Sequence, residues 1–397
     1  MPFYQKRGEI PAKRHTQFLN DDKELYWEEL ISRGGFSHIY SNVYHAHPPT
    51  AIKKVGEFEK ISIQNHSQIH RPYHLYTSKL NLDGDYLSST APLFYNKDIT
   101  ISKGHMTKPM KYLYRNGSRD EIIFVHSGKG KFLSNFGSLD IKKGDYLVIP
   151  RGVTWKFKIR EKMHLLIIES KAPVSTPNKY RNEFGQLLEH APFCERDINT
   201  PDFVAPNYNK EVEVKVKFDD GIQSYIYSHH PFDLVGWDGY YFPYTLNIND
   251  FMPITGKIHQ PPPVHQTFQS NGFVICSFVP RLFDYHAKAI PAPYAHSNVD
   301  SDEIIFYSEG EFMSRKGVEK ESITLHPSGL THGPQPGKIK ESIGVKETNE
   351  IAVMIDTFKP LKITDSINEI DDENYPLSWL NNDLRSCLLY TSPSPRD

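Results

Sequence analysis

Cysteine is scarce, with Cys194, Cys276 and Cys387 the only three in 397 residues. Their wide separation leaves no readable disulfide framework or cysteine-based zinc site and fits a reducing compartment. No apolar run approaches the roughly 18 residues that span a bilayer. The opening Met1-Pro-Phe-Tyr-Gln-Lys-Arg-Gly-Glu has no apolar signal core. A charge excess is lacking too: 46 basic against 48 acidic residues leave no bulk field for nucleic acid or an acidic membrane surface. A soluble cytoplasmic protein, with no nucleic-acid or membrane partner, is expected. Glycine, at 24, is outnumbered by 29 prolines, while Tyr and Phe reach 23 each. That mix favours short strands joined by Pro-bearing turns over long helices.

The length allows two domains or one large β domain. A helix is expected from about Asp21 to Arg33, followed by Pro- and His-rich connections. The histidines of Tyr44-His45-Ala46-His47-Pro48-Pro49 read as a surface turn. From about Asp98 to Ile168 the texture is short β runs, such as Glu121-Ile122-Ile123-Phe124-Val125 and Tyr146-Leu147-Val148-Ile149. An irregular connector fits about Pro173 to Tyr208, with further strands in Val212 to Tyr227. The β pattern returns after Pro243 and continues to about Phe358. Residues 386–397 stop resembling what precedes them and are read as a non-native remnant, outside the fold.

Two segments about 180 residues apart repeat one another. Asn116 is followed by Asp120-Glu121-Ile122-Ile123-Phe124 and then Gly128. Asn298 is followed by Asp302-Glu303-Ile304-Ile305-Phe306 and then Gly310. Downstream lie Pro150-Arg151-Gly152 and Pro327-Ser328-Gly329. Matched punctuation over this length implies two copies of one supersecondary unit, a β-sandwich or jelly roll.

The copies differ where it matters. Tyr114, Ile149 and Trp155 in the first become His296, His326 and His332 in the second. Any one of these histidines could be an ordinary core or turn residue. All three in one copy, beside Glu303, point to a site. His296, Glu303 and His332 form the two-imidazole, one-carboxylate set of non-haem Fe(II) oxygenases, which leaves metal positions open. Zinc also accepts two His and one Glu, but no HExxH helix is present. His296 and Glu303 are seven apart and so of opposite strand parity; the turn-prone Asn298-Val299-Asp300-Ser301 lets them converge. Asp302 is a rival ligand, and Glu303 is preferred because its counterpart Glu121 keeps the same distance to the Gly. The first half has lost both histidines and is expected to hold no metal.

His296-x-Asn298-x4-Glu303-x6-Gly310 and Pro327-x-Gly329-x2-His332 resemble the two cupin motifs, with Asn where many cupins carry a second His. Pro293-Tyr294-Ala295-His296-Ser297-Asn298 and Leu325-His326-Pro327-Ser328-Gly329-Leu330-Thr331-His332-Gly333-Pro334 resemble the active-site segments of the homogentisate 1,2-dioxygenase family, across about residues 1–385. The resemblance implies a mainly β bicupin: two jelly-roll (double-stranded β-helix) halves with few short helices. The N-terminal β domain would span 1–240, with its metal-free cupin-like half at about 98–170, and the catalytic cupin 241–385. It further implies an Fe(II) enzyme of tyrosine and phenylalanine catabolism that opens homogentisate with O2 to give maleylacetoacetate. Assembly as a homo-oligomer, trimer or hexamer, is implied as well. Carried over, the iron ligands fall on His296, Glu303 and His332. The proton-accepting His falls on His259, with His265 its rival. His326 would contact substrate or orient a ligand, with His332 also at the substrate. Phe312 is a departure, because many members carry a substrate-contacting Tyr there; the exact aromatic substrate is left open. Gentisate-type dioxygenase, metal-dependent isomerase or hydrolase, and a non-catalytic bicupin binding protein are the alternative readings.

Overall fold

The computed structural model describes residues 3–66, 69–206 and 210–380, and these fold almost wholly as short strands. The only α-helix among them is Lys338–Ser342. The segment 386–397 lies outside the described residues. The chain divides into two compact units. The first holds the described residues up to Gln64, then Asn81–Phe251 and Phe268–Gly272; the second holds Asn65–Leu80, Met252–Thr267 and the described residues from Phe273 on.

In the first unit, one antiparallel sheet orders Tyr244–Asn247, Asp145–Ile149, Asp120–Ser127, Met163–Ser170, Ile99–Met106 and Thr90–Tyr95. The central Asp120–Ser127 and Met163–Ser170 are buried along nearly their whole length, which is why they read as continuous apolar runs. A second sheet carries Gly137–Lys142, Lys129–Ser134, Thr154–Ile159, Leu113–Asn116, Val212–Lys217, Gly221–Tyr227 and Ile52–Lys60 in that order. There Lys129–Ser134 buries alternate residues, as a strand with one face on a core does. The expected boundary at 240/241 falls instead after Phe251, because Tyr244–Asn247 completes the first unit's sheet beside Asp145–Ile149.

The second unit repeats that order. Ser322–His326, Asp302–Glu309, Ile351–Thr357 and Phe273–Phe278 correspond strand for strand to Asp145–Ile149, Asp120–Ser127, Met163–Ser170 and Ile99–Met106. Residues 65–80, expected in the N-terminal domain, belong here: Tyr73–Tyr76 pairs with Ser322–His326 and covers its open edge. In the first unit a long second sheet accompanies this sheet's counterpart. Among the described residues of the second unit, what stands in its place is Arg281–Leu282 against Glu347–Thr348 and a bridge between His296 and His332.

The repeated punctuation has one cause in both copies. Gly152 donates its N–H to Asn116 O at 2.8 Å, and Gly329 to Asn298 O at 3.0 Å. Gly128 and Gly310 have φ of +86° and +91°, and a Cβ there would lie 2.1 Å from Lys162 O and 2.4 Å from Asn349 O. Only glycine fits such a turn.

Two local expectations are overturned. The segment 21–33 is not helical: Trp27–Ser32 is a strand paired with Tyr40–His45. Gly34 and Gly35, both with left-handed φ, turn the chain so that hairpin pairing overrides helix propensity. His45 is not in a surface turn; it is buried, its Nδ1 2.7 Å from Asp233 and its Nε2 2.9 Å from Glu29.

Candidate metal centre

Each proposed ligand owes its place to a different element. His296 and His332 come from the two chain segments whose counterparts, Tyr114 and Trp155, are cross-strand partners in the first unit. In the second unit the two histidines exchange backbone bonds, His296 N to His332 O at 2.8 Å and His332 N to His296 O at 2.9 Å. A bend at 299–300 then leads into the strand bearing Glu303, as one at 117–118 leads to Glu121. That bend cancels the strand-parity mismatch.

The ligand atoms of His296, Glu303 and His332 all lie within 4.8 Å of one another. His296 Nε2 is 3.7 Å from Glu303 Oε2, and His332 Nε2 is 3.6 Å from Oε1. These separations are too long for hydrogen bonds. Donors that each stand about 2.1 Å from a shared cation lie roughly 3 to 4 Å apart, so they suit a common ion. The second nitrogens agree: His296 Nδ1 donates to Tyr294 O at 3.3 Å and His332 Nδ1 to Leu330 O at 3.0 Å. Carbonyl partners there leave the Nε2 lone pairs facing Glu303. His332 Nε2 is buried without a hydrogen-bond partner. The donor set therefore fits a divalent metal.

Glu303 is buried, which pushes its carboxyl up, but His296, His326 and His332 reverse this and hold it well below the usual range. His326 donates from Nδ1 to Glu303 Oε1 at 2.8 Å and accepts at Nε2 from Tyr375 Oη at 3.1 Å. Burial keeps it neutral, pulling it down to about 4. It stacks on His332 at 4.7 Å. His326 thus stands behind Glu303 rather than among the cavity-lining residues. The rival ligand Asp302 is occupied elsewhere, its two oxygens accepting Ser328 N at 2.8 Å and Leu361 N at 2.7 Å.

A cavity of about 650 Å³ opens beside the cluster, lined by His296 and Glu303 and by a mainly apolar wall that includes Phe278, Tyr294, Ile305, Phe312 and Met354. His259 and His265 both line it. His259 is half exposed, with Nδ1 3.6 Å from Asp284 Oδ2. Asp284 is held in turn by Gln260 N at 2.9 Å. His259 meets Tyr294 edge-on at 5.4 Å. His265 is buried, and burial together with Arg281 pulls it down to about 3. Phe312 packs edge-on against Tyr307 at 4.5 Å.

Asp356 was not foreseen. It is the cross-strand partner of Glu303, half-buried, with Oδ1 buried and unpartnered. Burial first and Glu303 second push it up to about 7, against the pull of His296. Its counterpart Glu169 pairs with Glu121 in the same way. Glu169 follows Pro150 by 19 residues whereas Asp356 follows Pro327 by 29, so no spacing reveals the match.

In the first unit the corresponding place is filled. Tyr114 and Trp155 pack at 5.1 Å, and Tyr114 Oη donates to Glu121 at 3.1 Å. Burial and Glu169 carry Glu121 up to about 7, with Lys217 pulling the other way.

The fold and the His/Glu cluster define a β-barrel protein equipped for a metal. Residues 52–248 match the family model "Homogentisate 1,2-dioxygenase N-terminal". A protein of Saccharolobus solfataricus named "Putative dioxygenase SSO1533" is 44% identical over 383 residues, covering 96% of this chain and 99% of that protein. The homogentisate 1,2-dioxygenase of Nitrobacter hamburgensis is 29% identical over 282 residues. That match covers 65% of this chain and 61% of the Nitrobacter enzyme. A cupin 2 conserved barrel domain protein from Leptotrichia buccalis aligns with 76% of the chain at 10% identity and a TM-score of 0.33. The chain belongs to the homogentisate 1,2-dioxygenase family.

Proposed function

We propose that this chain is an Fe(II)-dependent ring-cleaving dioxygenase that opens homogentisate with O2 to give maleylacetoacetate. The observation that carries this reading is the meeting of His296 Nε2, the Glu303 carboxylate and an unpartnered His332 Nε2 at an apolar cavity. Bound by these residues, Fe(II) would offer open positions to O2 and a phenolate oxygen and polarise what binds there. The remaining work falls to the chain itself. His326 and Tyr375 fix the Glu303 carboxylate in orientation. His259, steered by Asp284, accepts the phenolic proton, a task suited to an imidazole near neutral pH. His265, held neutral in its buried place, forms wall. The apolar lining, Phe312 included, receives the planar ring and keeps water from it. As elsewhere in the family resemblance, a trimer or hexamer would be the working assembly.

The test is anaerobic Fe(II) loading followed by O2 consumption with homogentisate and with gentisate. One O2 per homogentisate, with a ring-opened product, is the expected result. Uptake with gentisate alone would move the substrate to a ring carboxylate. No uptake with either, from protein that has bound iron, would overturn the reading.

A further inference from the structure

Arg315 lies between the strand that carries Glu303 and the strand that carries His326, and it lines the same cavity. It is 6% exposed. Its Nη1 donates to Gly333 O at 2.7 Å and to Ser314 O at 3.3 Å, and the guanidinium lies 5.7 Å from the centre of the Trp379 ring. Its Nε is buried with no hydrogen-bond partner. Among the described residues, no carboxylate stands within ion-pairing distance of it. The neighbouring Arg281 differs, for its Nη1 is 3.2 Å from Glu350 Oε1. Burial strips water from the guanidinium; the two carbonyls, Tyr307 and the Glu303 charge beyond ion-pairing reach favour its charged state, while Nε is left without a partner.

We infer that Arg315 anchors the substrate's carboxylate, supplying at residue 315 the polar hold that Phe312 cannot. This rests on the proposed reading of the cavity as the site of an aromatic acid. The chemistry is that of an arginine whose N–H fork matches a carboxylate in an enclosed, apolar setting. Phe312 is consistent with it: engaged with Tyr307 at 4.5 Å, its ring is wall. An aryl acid would then be held at two points, its ring oxygen toward the His296–Glu303–His332 cluster and its carboxylate at Arg315. That arrangement selects for a carboxylate-bearing ring over a neutral one.

Binding, measured without turnover, tests this. Homogentisate and its carboxamide are titrated calorimetrically under argon into the protein as isolated and after Fe(II) loading. The wild type should prefer the acid by about ten- to a hundredfold, as expected for a buried charge-assisted contact. Arg315→Met should remove the preference while binding the amide as before, and Arg315→Lys should keep part of it. Circular dichroism and metal content check that the Met variant folds. If it does not, the wild-type ratio of acid to amide still decides. Equal affinity for acid and amide in the wild type, or no measurable binding of either, would overturn the anchor, and so would a preference that survives in a folded Arg315→Met. An intact preference without O2 uptake would leave the anchor standing and remove the dioxygenase reading instead.

Discussion

His259 and His265 face one cavity, the first open to solvent beside Asp284 and the second buried near Arg281. His265 sits under burial and the nearby Arg281 cation, which pull it down to about 3. Such a group binds a proton too weakly to serve as a base near pH 7. His259 is open to solvent and aligned by Asp284. His259→Phe should therefore keep iron but slow ring cleavage by a factor on the order of 10² to 10⁴, the usual share of a positioned acid–base group. His265→Phe should slow it far less. Steady-state rates on iron-matched samples check the ranking, and the reverse order would transfer the role. At Phe312 the expectation is smaller. Phe312→Tyr adds one neutral hydrogen bond, worth roughly 0.5–1.5 kcal/mol, so KM for homogentisate should fall a few-fold to about tenfold with kcat unchanged. A rise in KM would show that Phe312 packs directly on the ring.

Among the elements, the strands Trp27–Ser32, Tyr40–His45 and Leu234–Gly239 share one sheet, and a charged cluster ties them. Burial pulls His45 down, but its bonds to Asp233 and Glu29 more than reverse this and carry it up to about 9. An unfolded histidine titrates near 6.5. The folded state thus binds the proton more tightly, and the stabilisation is complete below about pH 6.5. It declines as the pH rises through 9, by no more than about 3 kcal/mol. Denaturant midpoints at pH 7 and pH 9.5 should differ more in the wild type than in His45→Gln; equal differences would discount the cluster. This sheet was poorly legible beforehand. Trp27-Glu28-Glu29-Leu30-Ile31-Ser32 has residues any helix tolerates, and its fate was decided by a strand distant partners could offer. The buried runs Asp120–Ser127 and Asp302–Glu309 were legible because β-branched and aromatic residues there have no polar face to hide.

For the whole molecule, two copies of one barrel plan have diverged in their interiors. In the first, Tyr86, Tyr114 and Trp155 pack where ligands would stand, and an indole N–H offers no lone pair to a metal. Elemental analysis should find about one iron per chain, and Glu303→Gln should bring it close to zero. A count near two would show that the first barrel binds metal as well. Among the described residues, no helix is long and apolar enough to cross a membrane.

The sequence by itself determined the repeat, the mainly β architecture and the residues that converge on the candidate metal centre. These were readable because they depend on local rules: glycines at left-handed turns, an asparagine before a bend, and imidazoles at repeated spacings. Only the tertiary structure decided which neighbours those residues have. Asp302 proved committed to Ser328 N and Leu361 N, His326 came to rest behind Glu303, and Asp356 arrived from a strand whose preceding loop differs in length between the copies. The edge partner Tyr73–Tyr76 and the unpartnered Nε of Arg315 were equally out of reach. The physical reason is shared. Register between distant strands and the withdrawal of water from a charge are set by segments far apart in the chain, and no spacing along it encodes them.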